Sequence, residues 1–558
     1  MPVKEKTSVN DTELGSPRDS TEEYEVFKKT EDGVSFRSVG WFKACIIFVK
    51  VLFATGVLSL PASLYSLGAV GGSISIVAWG AFNTYSFVIL GNFRKKHPHC
   101  HSIADMAEVA GGSFAKELTG ILFLIGYVLV TGSGIIGVST ALNALSHHAA
   151  CTVWWSFIGA VVIIATASVR KLQHVGWLTY AGFISIYAAV LIVVIGVTTR
   201  DRPAAAPQEG PYELGYVAIN NPGFAAGMVA SSTIFVSTAG TSAFIPVMSE
   251  MRNPKDYKKA LYLCMVVVNA SYLAFSLVVY RWCGQWVASP SLGSAGQTIK
   301  MVSYGVALLG LVVSATIYLH IAAKYIFVRI LGNTRHLQSN TVIHWVTWMS
   351  CTVGLGAISF ILSETIPIFN YLVALIGSVC FAPLAMCLPG FLWLHSNSHY
   401  RKGTLIQKVI YLLHWGMVLL GIFFLVGATY GVIIQIIDAY ATGMIGSTFS
   451  CLDNSSSSVT EVWLHRKFVV SRVDPPAFHD LEVPGPGCGT GIHDAVSQLL
   501  AAVDLDQLTV RRLHFHSRPA ALIPLRVFTP LLVRLEAKDS GIKCSIFIIA
   551  QVWNFADF

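Results

Sequence analysis

Phe53-Ala54-Thr55-Gly56-Val57-Leu58-Ser59-Leu60-Pro61 interrupts an apolar stretch that otherwise runs from residue 42 to residue 66. Gly56 tolerates backbone that a helix does not use, and Pro61 brings no N–H to the hydrogen-bond ladder. A second stretch, Ser237-Thr238-Ala239-Gly240-Thr241-Ser242-Ala243-Phe244-Ile245-Pro246, repeats the pattern. Both lie in a 558-residue chain that is 54% hydrophobic and 12% charged, with a mean hydropathy of +0.61. An ordinary soluble domain is about 25% charged. The composition excludes a disordered chain, a coiled coil and an ordinary soluble enzyme.

Eleven apolar runs surround these two stretches, near 42–66, 70–91, 118–146, 153–168, 176–198, 224–246, 260–281, 299–323, 341–362, 366–394 and 409–437. A helix needs about 20 apolar residues to cross roughly 30 Å of hydrocarbon. Only elements that satisfy their own backbone groups persist there. The expectation is therefore an all-α membrane protein with eleven spanning helices; merged or re-entrant runs are the alternative. Lysine and arginine sort the loops by side. The loops after the even-numbered runs hold fifteen bases, among them Arg94, Lys95, Lys96, Arg170, Lys171, Arg252 and Lys255, whereas the other loops hold four, Arg200, Arg202, Arg281 and Lys300. The basic side is expected to face the cytosol, with the N-terminus inside and the end of the eleventh run outside. These loop bases account for the net charge of +8 without nucleic acid. Residues 1–41 carry 9 acids and 6 bases and no cleavable signal pattern, so a disordered cytosolic tail is expected there.

The interrupted runs are the first and the sixth, each opening a set of five. Five crossings end on the opposite side, so the second half starts inverted. Interruptions at corresponding positions of inverted halves point to a substrate site at mid-membrane. The chemistry follows from the freed backbone. Amides near Gly56, Val57 and Leu58 open a half-helix, whose N-terminus favours an anion such as a carboxylate, with Thr55 and Ser59 flanking them as further candidate substrate-site residues. Carbonyls freed near Phe235, Thr238 and Ala239 at the other interruption suit an ammonium, and Gly240 and Thr241 beside them complete the candidate substrate site. Simple glycine–proline kinks are the plain alternative.

Ionisable groups inside spans are costly and mark function. Lys50 precedes the first interruption by six residues, and His320 and Lys324 lie late in run eight. These three are candidates for coupling or gating; snorkelling lysines and a packing histidine are the alternatives. Helices 1, 3, 6, 8 and 10 are expected to wall the site, with Tyr127, Thr131, Phe235, Ser314 and Asn370 as candidate lining. A sodium site calls for adjacent hydroxyls on the eighth helix, and Ser314 and Thr316 are not adjacent.

Pro246-Val247-Met248-Ser249-Glu250-Met251-Arg252-Asn253-Pro254-Lys255-Asp256-Tyr257 resembles the cytosolic end of helix 6 in the amino acid/auxin permease family. Thr55–Pro61 resembles its helix 1, and Tyr318-Leu319-His320-Ile321-Ala322-Ala323-Lys324-Tyr325 its helix 8. The resemblance is closest to the fungal neutral and aromatic amino acid permeases and covers about 38–450. It implies eleven helices, a 5+5 inverted repeat plus one, arranged as in amino acid–polyamine–organocation transporters, and proton-driven uptake.

Other patterns carry less. Gly132-Ser133-Gly134-Ile135-Ile136-Gly137 fits a dinucleotide motif but follows no strand and reads as a helix-packing face. His97, His99, Cys100 and His101 have no recognised metal spacing. No cofactor, metal site, catalytic constellation or nucleic-acid partner is expected. Cys151 and Cys283 fall near the outer face, where a disulfide between them is possible. Residues 441–558 are expected to be an appendage outside the resemblance, or a spurious extension, with an amphipathic helix near 492–505 and a glycosylation acceptor at Asn454-Ser455-Ser456. The sequence reads as a multi-pass secondary transporter of neutral amino acids, expected in the plasma membrane in preference to the vacuole. A membrane receptor that binds amino acids without transporting them is the alternative.

Overall fold

A computed structural model describes residues 39–455, except 54, 55, 101, 170, 171, 332, 333, 335, 337–340 and 443–447, together with 531–533 and 548–550. The chain divides into two units, Met1–Pro475 and Pro476–Phe558. The described residues of the second unit form one antiparallel pair, β1 (Leu531–Val533) with β2 (Ile548–Ala550). The tail 1–38 and the helix expected at 492–505 lie outside the described residues.

The first unit is helical. It begins with α1 (Trp41–Leu52), and a turn of 3-10 helix at Gly56–Ser59 leads into α2 (Leu60–Lys96). Next come α3 (Ile103–Ser146), α4 (Thr152–Ala167) and α5 (Leu172–Thr198). The second interruption separates α6 (Phe224–Ser237) from α7 (Thr241–Glu250). Then follow α8 (Tyr257–Cys283), α9 (Gln297–Leu331) and α10 (Val342–Thr365). A bent element starts as α11 (Phe369–Leu375), passes through π-helical turns and ends as α12 (Leu388–Ser396). The last pair is α13 (Leu405–Phe423) and α14 (Thr429–Ala441).

Among the described residues, seven helices are long and apolar enough to cross a bilayer, or eight if the bent pair Phe369–Phe381 and Pro383–Ser396 is one span. The sequence runs number eleven; Thr152–Ala167 and Phe224–Ser237 are apolar but shorter, and Gly56–Lys96 takes in parts of two runs. The stretch Gly56–Lys96 has 41 residues, which at about 1.5 Å per residue is roughly 60 Å, twice a hydrocarbon core. It breaks at Gly68, whose φ of +77° lies where side chains rarely go; a Cβ there would stand 2.7 Å from the Asn220 amide nitrogen. The loop between α5 and α6 fills that break, accepting bonds from Ala69 N at Val217 O (3.1 Å) and from Val70 N at Ala218 O (2.9 Å).

Two helix groups emerge from the packing. α2 lies along α6 and α8, and α1 lies on α8. α9 lies along α3, which also meets α4 and α10. α5 packs mainly on α9 and touches α8. The Gly132–Gly137 stretch is buried in α3, where a Cβ on Gly134 would stand 2.6 Å from that of Ala315 on α9. Small residues there let two backbones approach.

At one end of the bundle, Cys151 pairs with Cys451, and Cys283 is a buried free thiol. This corrects the Cys151–Cys283 pairing; 300 residues separate the true partners, and sequence spacing does not encode connectivity. The segment around Cys451 is laced to the helices. Thr152 Oγ1 donates to Leu452 O (2.6 Å), Asn143 Nδ2 to Asn454 Oδ1 (2.9 Å) and Lys300 Nζ to Ser455 O (2.9 Å). Asn454 Nδ2 itself donates to Ser139 Oγ at 3.3 Å. The expected glycosylation acceptor is thus turned into the protein and engaged at both ends of its amide.

Candidate functional site

Two helices stop and resume after a short gap, and their gaps lie against each other. A Cβ on Gly56 would stand 3.0 Å from Ser237 Cα, and one on Gly240 would stand 2.8 Å from Leu52 Cδ2. Each interruption therefore uses a glycine to admit the other. Ser237 Oγ donates to Gly56 O at 3.2 Å and ties the two together.

A cavity lies at this crossing. Val51, Leu52 and Gly56 line it from the first interruption, and Val236, Ser237 and Gly240 from the second. α3 contributes Val130 and Ser133, α9 contributes Tyr318, and the bent helix contributes Val373, Ile376 and Phe381. These are the helices expected to wall the site. None of the described lining residues carries a charge. Four helix ends meet here. α1 and α6 bring their carbonyl ends, which favour a cation; the turn at Gly56 and α7 bring their N–H ends, which favour an anion.

The freed carbonyls have partners. Tyr318 Oη donates to Val51 O at 2.7 Å. Tyr272 Oη, from α8, reaches Leu52 O at 2.7 Å and Ser237 O at 3.2 Å. Asn83 Nδ2, from α2, donates to Phe235 O at 3.1 Å and to Thr238 Oγ1 at 2.8 Å. All three side chains are buried. None was singled out from the sequence for this role: each lies more than 30 residues from the carbonyl it serves, so no local motif announces it.

Of the predicted site residues, Gly56 and Gly240 line the cavity. Val57, Leu58, Ser59, Phe235, Thr238 and Ala239 are buried without lining it. The Phe235 carbonyl, expected to be open to an ammonium, is occupied by Asn83. Thr241 is the first residue of α7, and Thr55 lies outside the described residues. Thr131 Oγ1 is turned back on Tyr127 O in its own helix, at 2.8 Å. Neither Thr131 nor Asn370 lines the cavity.

Lys50 is 1% exposed, and its Nζ donates to Ser314 Oγ at 2.6 Å. Ser314 Oγ in turn donates to Gly310 O at 2.7 Å. Among the described residues, no carboxylate lies within ion-pair distance of Lys50. A lysine inside a bilayer-spanning bundle is costly to keep, and here it bridges α1 to α9. His320 sits elsewhere: its Nδ1 lies 3.1 Å from Ala167 O and its ring packs on Trp348 at 5.1 Å. Lys324 is exposed. His320 is buried against α4 and α10, apart from Lys50.

Residues 37–434 match the family described as "Transmembrane amino acid transporter protein". The chain is 45% identical over 455 residues to a "Transmembrane transporter" of Gibberella moniliformis, covering 82% of this chain and 95% of the relative. It is 26% identical over 430 residues to the "N amino acid transport system protein" of Neurospora crassa, covering 75% and 90%. It is also similar to the solved structure of Mhp1, a nucleobase-cation-symport-1 family transporter, with a TM-score of 0.46 and 14% identity over 75% of this chain and 96% of that one.

Proposed function

The chain belongs to the transmembrane amino acid transporter family, and from that premise we propose that it takes up neutral amino acids, aliphatic and aromatic, by proton symport. The reading has eleven crossings, two inverted sets of five plus one, and a cytosolic N-terminus in the plasma membrane. The Cys151–Cys451 disulfide supports that orientation, because disulfides persist on the oxidising side. The substrate carboxylate sits at the N–H end formed by Gly56, Val57 and Leu58. The ammonium takes a carbonyl at the end of α1, beside the carbonyl end of α6. The side chain lies against Val130, Val373, Ile376 and Phe381, an apolar wall that suits a neutral group and leaves a charge without a partner.

One observation carries the reading: the two interruptions fit each other, glycine against neighbour, around a cavity whose polarity comes from helix ends. A zwitterion matches that field. Lys50 supplies the coupling group in this account. A proton gained or lost at its Nζ changes the bond to Ser314, and with it the hold of α1 on α9.

The test is uptake of radiolabelled L-leucine and L-phenylalanine by proteoliposomes. An inward acid gradient should drive accumulation. Accumulation driven by sodium instead would remove the proton claim, and no uptake under either gradient would remove the reading.

A further inference from the structure

We propose that the Tyr318 phenol stands in for the substrate ammonium: in the empty carrier it holds the Val51 carbonyl, and an arriving ammonium takes that carbonyl and releases α1 from α9. The inference rests on reading the cavity as an amino acid site.

Val51 and Leu52 are the last residues of α1, so their carbonyls lie at the end of the helix's own hydrogen-bond ladder. In a water-poor bundle a bare carbonyl is expensive, and something must occupy it when no substrate is present. Tyr272 and Tyr318 do this for the two consecutive carbonyls, at 2.7 Å each.

The two tyrosines are not equivalent. Tyr272 belongs to α8, in the same helix group as α1 and α6, and it bonds the carbonyl ends of both. It fixes the interruptions to each other. Tyr318 belongs to α9, in the opposite group, and it lines the cavity. Its bond to Val51 crosses the divide along which the groups would rock. The neighbouring residue crosses there too: Lys50 bonds Ser314, one helical turn before Tyr318 on α9. α1 is thus latched to α9 at two consecutive residues.

A substrate ammonium competes well for the same acceptor. It offers three donors where the phenol offers one, and its charge-assisted bonds are roughly twice as strong as neutral ones. Taking Val51 O from Tyr318 opens one of the two latches. A carboxylic acid without the ammonium cannot make that exchange.

The experiment separates the empty carrier from the loaded one. Net uptake requires the empty carrier to return, whereas exchange of internal for external amino acid does not. In proteoliposomes with L-leucine and L-phenylalanine, each tested alone, Y318F should lower net uptake about ten-fold, the scale of one buried carbonyl left bare. Exchange by the same variant should reach half-saturation at a lower concentration than wild type, because the competitor is gone. Y272F should depress both modes together. Equal loss of both modes in Y318F, or no change in either, would overturn the inference. A wild type that neither exchanges nor accumulates these amino acids would instead overturn the underlying reading.

A second measurement needs no loss of the hydroxyl. With 3-fluorotyrosine at position 318, the fluorine resonance should shift on adding L-leucine or L-phenylalanine. It should stay in place with the corresponding deaminated acid. The same shift from the deaminated acid, or no shift with the amino acid, would count against the stand-in role.

Discussion

At the first interruption the freed carbonyls of Val51 and Leu52 are held by hydroxyls from α9 and α8. At the second, those of Phe235 and Ser237 are held from α2 and α8. Both partners of the second interruption sit in its own helix group, whereas one partner of the first sits across the divide. Lys50 adds another bond on that side, to Ser314. The same residue types thus build a fixed half and a switchable half. In the proposed cycle α6 keeps its partners and α1 trades its own.

The glycines put the comparison under most strain. A Cβ on Gly56 meets the Ser237 backbone, which cannot step aside, while one on Gly240 meets the end of a leucine side chain, which can. G56L is expected to reduce uptake in proteoliposomes to background. G240A should retain more uptake than G56A at matched protein amounts; the reverse order would break the asymmetry. K50M should come next. It removes the bridge to Ser314, and uptake should no longer respond to an inward acid gradient, although exchange persists. A gradient response equal to wild type would take Lys50 out of the coupling.

N83A probes the fixed half. It leaves the Phe235 carbonyl short of a donor, at a cost of about 1–3 kcal/mol. Thermal unfolding in detergent should occur earlier, with net uptake and exchange falling in parallel. A selective loss of net uptake would mean that the second interruption also switches. C451S should have the smallest effect on transport. It removes a cross-link commonly worth about 2–4 kcal/mol of stability, so unfolding should shift downward while uptake at low temperature stays near wild type.

The sequence shows the interruptions themselves plainly, because Gly56, Pro61, Gly240 and Pro246 act locally on the backbone. The apolar runs likewise place the helices, and all of them are helical in the structure. The partners of the interruptions are another matter. Asn83, Tyr272 and Tyr318 lie within apolar helices, where a lone polar residue looks the same whether it packs, bonds its own helix or serves a distant carbonyl. Thr131 and Tyr318 illustrate this: both were in sight in the sequence, yet one bonds its own helix and the other spans 267 residues. Titratability singles out His320, but the sequence does not show that Ala167 and Trp348 pack around it. The Cys151–Cys451 link was hidden for a similar reason, since the fold, and not spacing, brings the two together.

The most direct test is a map of the protein with L-leucine or L-phenylalanine bound. The account predicts density in the cavity between Gly56 and Gly240, with the carboxylate at the amides of Gly56–Leu58 and the ammonium on the Val51 carbonyl in place of Tyr318. Continuous helices through both interruptions, or an amino acid bound away from them, would contradict it.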